Sequence, residues 1–483
     1  MIFDRLLEIA EKAPETSGLK MAGRFTSYAD LVRRIERLAA GFAERGIGHG
    51  SVVALLIPNS PDIFAVSHAL FSIGAIAMPL GLTATRAELS ALAAKTGLAA
   101  IVASPGLRSI AEALIADASP SALLFFTTDL AALERSATTR PGISGETPAL
   151  YLFSSGSTGL PKVVPHTHKE LIADGNRTST AWDLQPDDVV VNILPPNFAM
   201  GFLLGVMDTV SRGASTVYWN DPLPLALSRR KLLDTIVAEQ GTIMGAVPAM
   251  YEIIAAQAGE FDLKLRIAFS GGAALKRPVF EAVRERFGIT LRQAYGSTEA
   301  IMVSHNDSHD PDATWASVGR PAGDAQVRIA EADGEVGELL IRSSSMMQGY
   351  LNEVAANDLA FDNGWFRSGD LATIDDEGRI FIKGRSKLLI EVSGYKIDPI
   401  EVEDTIAAHP AIAELAVAGI PDTRSGNRLR AYVVRNGDVT KDEIVSFARA
   451  RLSIQKVPEE IEFLDALPKS PTGKILRAKL AEL

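Results

Sequence analysis

Over roughly its first 300 residues the chain alternates short apolar runs with stretches of helical spacing. Val52–Ile57, Ala99–Ala103, Val189–Leu194, Thr216–Trp219 and Arg266–Phe269 read as buried strands. Glu88–Lys95, Arg230–Glu239 and Pro278–Phe287 read as helices between them. Neighbouring parallel strands need a long crossover, and a helix supplies it. The alternation therefore predicts layered α/β structure with largely parallel sheets. No repeat of 20–50 residues is evident. At 483 residues the chain exceeds what one core fills, so two or more domains are expected.

From about Asp324 the pattern changes. Val327–Ile329, Glu338–Ile341, Leu371–Ile374 and Arg379–Ile382 are short strands parted by turns such as Ala332-Asp333-Gly334 and Asp376-Glu377-Gly378. They predict a small antiparallel sheet or barrel. Beyond Lys387 come a helix at Glu401–Ala408, strands at Glu414–Ala418 and Arg430–Val434, and a helix at Lys441–Leu452. That tail is long enough for a small α+β domain.

The residues are 47% hydrophobic and 22% charged, as in a soluble globular protein. A net charge of −11 argues against nonspecific nucleic-acid binding, which needs a basic face. The chain has no cysteine, which excludes disulfides, thiolate zinc sites and a thioester on the chain itself. Met1–Glu15 has the spacing of an amphipathic helix and lacks the continuous apolar core of a signal peptide. The most apolar stretch, Ala69–Leu82, is too short for a membrane span and is broken by glycines and Pro79. The expectation is a soluble, cytoplasmic protein.

Four segments carry chemistry. Ser154-Ser155-Gly156-Ser157-Thr158-Gly159-Leu160-Pro161-Lys162 follows the apolar run Ala149–Phe153. Small hydroxyl residues and glycines let backbone N–H groups close around phosphate oxygens, and Lys162 adds a cation. A plain flexible loop has the same composition. Tyr295-Gly296-Ser297-Thr298-Glu299 follows a strand predicted over Thr290–Ala294. A hydroxyl beside a carboxylate suits a hydrated Mg²⁺ that holds phosphates. The acidic first turn of a helix would use the same residues. Gly364-Trp365-Phe366-Arg367-Ser368-Gly369-Asp370 ends in a carboxylate able to take two ribose hydroxyls, or to cap a turn. Pro468-Lys469-Ser470-Pro471-Thr472-Gly473-Lys474 would hold a lysine at a loop tip.

In that order and spacing, across essentially the whole chain, the set resembles the adenylate-forming superfamily of acyl- and aryl-CoA synthetases, luciferases and peptide-synthetase adenylation domains. The resemblance implies an AMP-binding domain over 1–386 and a small mobile C-terminal domain over 387–483. It implies ATP and Mg²⁺, a carboxylic acid substrate, and CoA or a phosphopantetheinylated carrier protein as acceptor. Ser154, Ser155, Ser157, Thr158 and Lys162 then belong to the loop that handles the pyrophosphate side of the nucleotide. Thr298 contacts the α-phosphate and Glu299 ligates Mg²⁺, with Tyr295 beside the adenine and Gly296 and Ser297 in the same nucleotide-binding run. Gly272 and Ala273 form the adenine floor, Asp370 and Arg385 take the ribose, and Ile382 packs on the base. Lys474 is the catalytic lysine of the first half-reaction, Lys387 the hinge, and Gly394 lines the thiol tunnel.

Selectivity rests on fewer residues. Pro161-Lys162-Val163-Val164-Pro165-His166-Thr167-His168 and Asn197-Phe198-Ala199-Met200 resemble the aryl-acid-activating branch. Asn197, Phe198, Gly271 and Gly296 are then the acid pocket, with Asn197 placed to bond a ring hydroxyl. A turn after Pro195-Pro196 would also end in such an asparagine. Gly201, Phe202, Leu203, Leu204, Gly205 and Val206 suggest an apolar cavity. His166 and His168 read as structural. The alternatives are a fatty acyl-CoA synthetase with a general apolar pocket, and a catalytically silent nucleotide-binding protein on the same fold.

Overall fold

The computed structural model describes residues 1–13, 15–82, 86–136, 139–154, 161–333, 335–385, 390–392, 395–422, 426–469 and 475–480. The apolar runs are strands, with ends shifted by a residue or two: Val52–Leu56, Leu98–Ala103, Val189–Asn192, Ser215–Tyr218 and Ile267–Ser270. Four of these five are buried at every residue. A strand covered on both faces has no polar side to alternate with, hence the continuous apolar runs. The intervening helices are Arg86–Thr96, Leu225–Ala238 and Arg277–Phe287. The last has Pro278 in its first turn and stops at Gly288, whose φ of +67° favours glycine.

Among the described residues one sheet has six strands, in the order Leu123–Phe126, Leu98–Ala103, Val52–Leu56, Ile76–Pro79, Pro148–Ser154 and Lys162–Thr167. All its pairs are parallel except the last. A nine-stranded sheet runs Arg320–Pro321, Ile301–His305, Leu291–Ser297, Ile267–Ser270, Ile243–Ala246, Val189–Asn192, Ser215–Tyr218, Gly18–Met21 and Arg24–Ser27. It is parallel through the middle and antiparallel at both edges. The small sheet expected after Asp324 has five strands: Gln326–Asp333, Val336–Arg342, Trp365–Ile374 and Phe361–Asp362 in order, with Ile380–Arg385 also on Trp365–Ile374.

The chain divides into two compact units. One comprises Met1–Arg328, Leu340–Ser368 and Ile374–Phe381; the other comprises Ile329–Leu339, Gly369–Thr373 and Ile382–Leu483. The described residues of the first form apolar cores around Phe64, Phe71 and Phe202, around Phe269 and Phe280, and around Met78 and Ile101. The second is built on the strands Ile412–Asp422, Gly426–Arg435 and Glu460–Phe463, with the helices Pro399–Ala407 and Lys441–Arg449. The strand Glu460–Phe463 was not evident in the sequence, because its two glutamates alternate with apolar residues over only four positions. Among the described residues no helix is long and apolar enough to cross a membrane.

In the helix Ala199–Val206, Phe202, Leu203 and Val206 pack into one apolar core and Leu204 into another. Gly201 lies against the carbonyls of Leu194 and Pro195, and Gly205 against Asn192 and Tyr218, where a Cβ would overlap them. Both glycines are there for close packing.

Buried histidines make stability pH-dependent. Burial lowers His168 to about 4, with the positive N-terminus adding to the effect. Among the described residues neither of its ring nitrogens has a hydrogen-bond partner. An unfolded histidine titrates near 6.5, so the unfolded chain takes up that proton first and stability falls as pH drops from about 6.5 towards 4. Asp174 acts in the opposite sense, because burial raises its carboxyl to about 7 against the pull of Arg177. A variant comparison isolates the histidine. His168→Leu is expected to gain on wild type as pH falls through this window, by up to about 1.4 kcal/mol per pH unit. Urea unfolding of both proteins at pH 7, 6 and 5 measures it, and a difference that stays constant would contradict it.

Candidate active site

The strand Leu291–Ser297 runs three residues beyond the predicted end and takes in Tyr295, Gly296 and Ser297. No helix follows. Thr298, Glu299 and Ala300 form a turn into the antiparallel strand Ile301–His305. The motif is thus a hairpin tip, and the helix N-terminus reading does not hold. The register shifts between Tyr295 and Gly296, as at a bulge. A Cβ on Gly296 would overlap the Ile301 carbonyl oxygen, so only glycine fits there. Ile301 itself has a φ of +56°. A β-branched residue in that region is strained and persists only where its surroundings enforce it.

The enforcement is visible carbonyl by carbonyl. His166 Nε2 lies 2.8 Å from the Thr298 carbonyl oxygen. The Met347 N–H donates to the Glu299 carbonyl at 2.8 Å. Ser345 Oγ donates to the Ala300 carbonyl at 3.1 Å. Arg177 donates to the Met302 carbonyl at 2.9 Å and to Ser345 Oγ at 2.6 Å. Asp174, beside Arg177, accepts from the Met302 N–H at 3.1 Å.

Glu299 is buried to 9% exposure, and its Oε1 accepts from the Tyr350 hydroxyl at 2.8 Å. Its Oε2 accepts from no described residue. A buried carboxylate with one oxygen fixed and the other open fits a hydrated divalent ion, which would keep most of its oxygen ligands from water and phosphate.

Ser154 ends the strand Pro148–Ser154 and pairs with Lys162, the first residue of Lys162–Thr167. These two anchor the small-residue loop; Ser155, Ser157 and Thr158 lie outside the described residues. Lys162 Nζ sits 4.6 Å above the Tyr350 ring, a cation–π contact. Tyr350 thereby touches both the loop's lysine and the carboxylate of Glu299.

The turn after Ile267–Ser270 holds Gly271, Gly272 and Ala273. Gly272 has a φ of +76°, and both it and Ala273 are exposed. A Cβ on Gly271 would stand 3.3 Å from the Ala294 carbonyl and 3.4 Å from Met200 Sδ. Gly271, the Tyr295 strand and the segment leading into Ala199–Val206 therefore converge. Asn197 lies in the turn ahead of that helix and Phe198 is its N-cap, both half-buried. The turn reading of Asn197 holds, yet its side-chain amide makes no hydrogen bond among the described residues.

In the second unit Arg385 Nε donates to Asp370 Oδ1 at 2.6 Å. Asp370 is buried to 6% exposure and Arg385 is 46% exposed. Glu338 accepts from the Gly369 N–H at 3.0 Å, which fixes the turn ahead of Asp370. Ile382 is half-buried on the same strand as Arg385. Lys387, Gly394 and Lys474 lie outside the described residues.

Sequence reasoning had no signal for Tyr350, Ser345 or Arg177, which reach the motif only through the fold. A family model for AMP-binding enzymes matches residues 6–351, and one for the AMP-binding enzyme C-terminal domain matches residues 401–474. The chain is 30% identical over 477 residues to a long-chain-fatty-acid–CoA ligase of Mycobacterium tuberculosis, covering 94% of this chain and 92% of that one. It is 30% identical over 484 residues to a feruloyl-CoA synthase of Amycolatopsis sp, covering 98% and 96%. Its fold superposes on ATP-bound MatB from Rhodopseudomonas palustris with a TM-score of 0.89 at 25% identity, covering 100% and 99%. The chain belongs to the AMP-binding enzyme family, the adenylate-forming superfamily of acid–thiol ligases.

Proposed function

We propose that this ligase activates an aromatic carboxylic acid, of hydroxybenzoate type, and passes it to the thiol of CoA. In the first half-reaction a carboxylate oxygen attacks the α-phosphorus of ATP, the bond to the β-phosphate breaks, and pyrophosphate leaves. In the second, a thiol gives up its proton, its sulfur bonds to the acyl carbon, and AMP leaves.

The observation that carries the adenylation reading is the braced tip that presents Thr298 and the open oxygen of Glu299. Thr298 would meet the α-phosphate and Glu299 would hold the Mg²⁺, whose chemistry is to neutralise phosphate charge as the bond breaks. Ser154, Lys162 and the loop residues between them would steer the pyrophosphate. Tyr295, Gly272, Ala273 and Ile382 would receive the adenine, and Asp370 and Arg385 the ribose. Lys474 would bridge carboxylate and α-phosphate, two anions that otherwise repel. Lys387 would serve as hinge between residues 1–386 and 387–483, and Gly394 would leave room for the pantetheine arm. A carrier-protein thiol is the alternative acceptor, and the cytoplasm is the expected compartment.

The aromatic reading rests on Asn197, a half-buried amide with no hydrogen bond among the described residues, on the segment that reaches Gly271 through Met200. Such an amide, covered further when the acid binds, gains from a hydroxyl on the substrate. The relatives named above include ligases named for a fatty acid and for a phenolic acid, so the choice between them falls to experiment. Asn197→Leu is expected to lose about tenfold to a hundredfold in preference for hydroxybenzoate over benzoate, from a difference of about 1–3 kcal/mol. Competition between the two acids, read as the ratio of CoA thioesters formed, measures it. Equal loss of both acids, or a wild type that takes only fatty acids, would contradict the aromatic assignment.

A further inference from the structure

We infer that His166 is a positioning residue for the adenylation half-reaction; this rests on the function proposed above. His166 is fully buried on the strand Lys162–Thr167, and its Nε2 lies 2.8 Å from the Thr298 carbonyl oxygen. A carbonyl only accepts, so this nitrogen is the one that carries the hydrogen. The other ring nitrogen faces Glu170 Oε2 at 3.7 Å. Glu170 is itself fixed on both oxygens: Oε2 accepts from the Thr167 N–H at 2.9 Å and Oε1 from Gln348 Nε2 at 3.0 Å. The imidazole is therefore seated between a held carboxylate and the peptide that carries Thr298.

The position of this contact gives it consequence. Thr298 is the first residue of the turn, and Ile301, two residues past Glu299, is in a strained conformation. The supports from Met347, Ser345 and Arg177 act on the Glu299, Ala300 and Met302 carbonyls. Only His166, among the side chains described, acts on the Thr298 carbonyl. Without it, that peptide is free to rotate while the rest of the tip stays held. Rotation would move the Thr298 hydroxyl away from where the α-phosphate must sit, without unfolding the hairpin. A misplacement of this kind near reacting atoms can cost about a hundredfold in rate.

The role is narrow. It concerns bond-making at the α-phosphorus in the first step, whereas the thioester step breaks the acyl C–O bond and leaves the α-phosphorus–oxygen bonds intact. The test compares His166→Leu with His166→Gln, whose amide keeps an N–H donor. Each is measured in ATP–pyrophosphate exchange, in thioester formation from preformed acyl-adenylate, and in thermal unfolding. His166→Leu should lose about tenfold to a hundredfold in the kcat of exchange, with a small change in the KM for acid. It should keep thioester formation from the adenylate, and His166→Gln should recover most of the exchange. Normal exchange in His166→Leu would overturn the inference. So would equal loss of both half-reactions in step with a lowered melting temperature and no recovery in His166→Gln. A wild type without exchange on any carboxylate would instead overturn the proposed function, so the two failures are distinguishable.

Discussion

Lys474→Ala is expected to lose about 10²–10³ in the rate of ATP–pyrophosphate exchange while still making thioester from preformed acyl-adenylate. The work proposed for the lysine is electrostatic. A carboxylate and an α-phosphate approach each other only if a cation stands between them, and negative charge grows on the phosphorus oxygens as the bond forms. The chain is acidic overall, with a net charge of −11, so such a cation must be supplied locally. Once the adenylate exists, the carboxylate charge is gone and the lysine has nothing left to bridge. The assay pair separates this from misfolding, which would depress both half-reactions. Exchange at the wild-type rate in the variant would remove Lys474 from the mechanism.

Gly296→Ala is expected to cost about a hundredfold in exchange, and about 1–3 kcal/mol in stability. The added methyl would overlap the Ile301 carbonyl oxygen, which is backbone and has no rotamer to escape into. Either the bulge between Tyr295 and Gly296 opens or the strained Ile301 gives way. Both shift Thr298, Glu299 and Ala300 off their supports from His166, Met347 and Ser345 respectively. Exchange kinetics and chemical denaturation of the variant measure the two effects. Wild-type values in both would mean that the tip has a different shape.

The parts of the molecule that could be read from the sequence are those where one physical demand dominates. Strands such as Val52–Leu56 and Ile267–Ser270 are covered on both faces, so their composition announces them. The Ser/Gly loop after Pro148–Ser154 announces itself by lack of bulk. The Tyr295–Glu299 motif was found, but its shape was not: the same residues suit a helix N-terminus, and only the carbonyl of Ile301 over Gly296 decides for a hairpin. Glu460–Phe463 was too short to register as a strand. The helix Ala199–Val206 gave an apolar signal that packing and a cavity share, and the structure shows its leucines and Phe202 in the cores. Tyr350 lies 51 positions from Glu299, and Arg177 lies 125 from Met302, so no local pattern could pair them. His166 was visible as a buried histidine, but its target, 132 positions away, was not.

The braced tip is proposed to serve the adenylation of an aromatic acid. ATP–pyrophosphate exchange over a panel of benzoates, hydroxybenzoates, cinnamates and fatty acids tests it most directly. The expected result is Mg²⁺-dependent exchange that is strongest with a hydroxylated aromatic acid, and a CoA thioester of that same acid when CoA is added. Exchange with fatty acids alone, or with no acid in the panel, would contradict it.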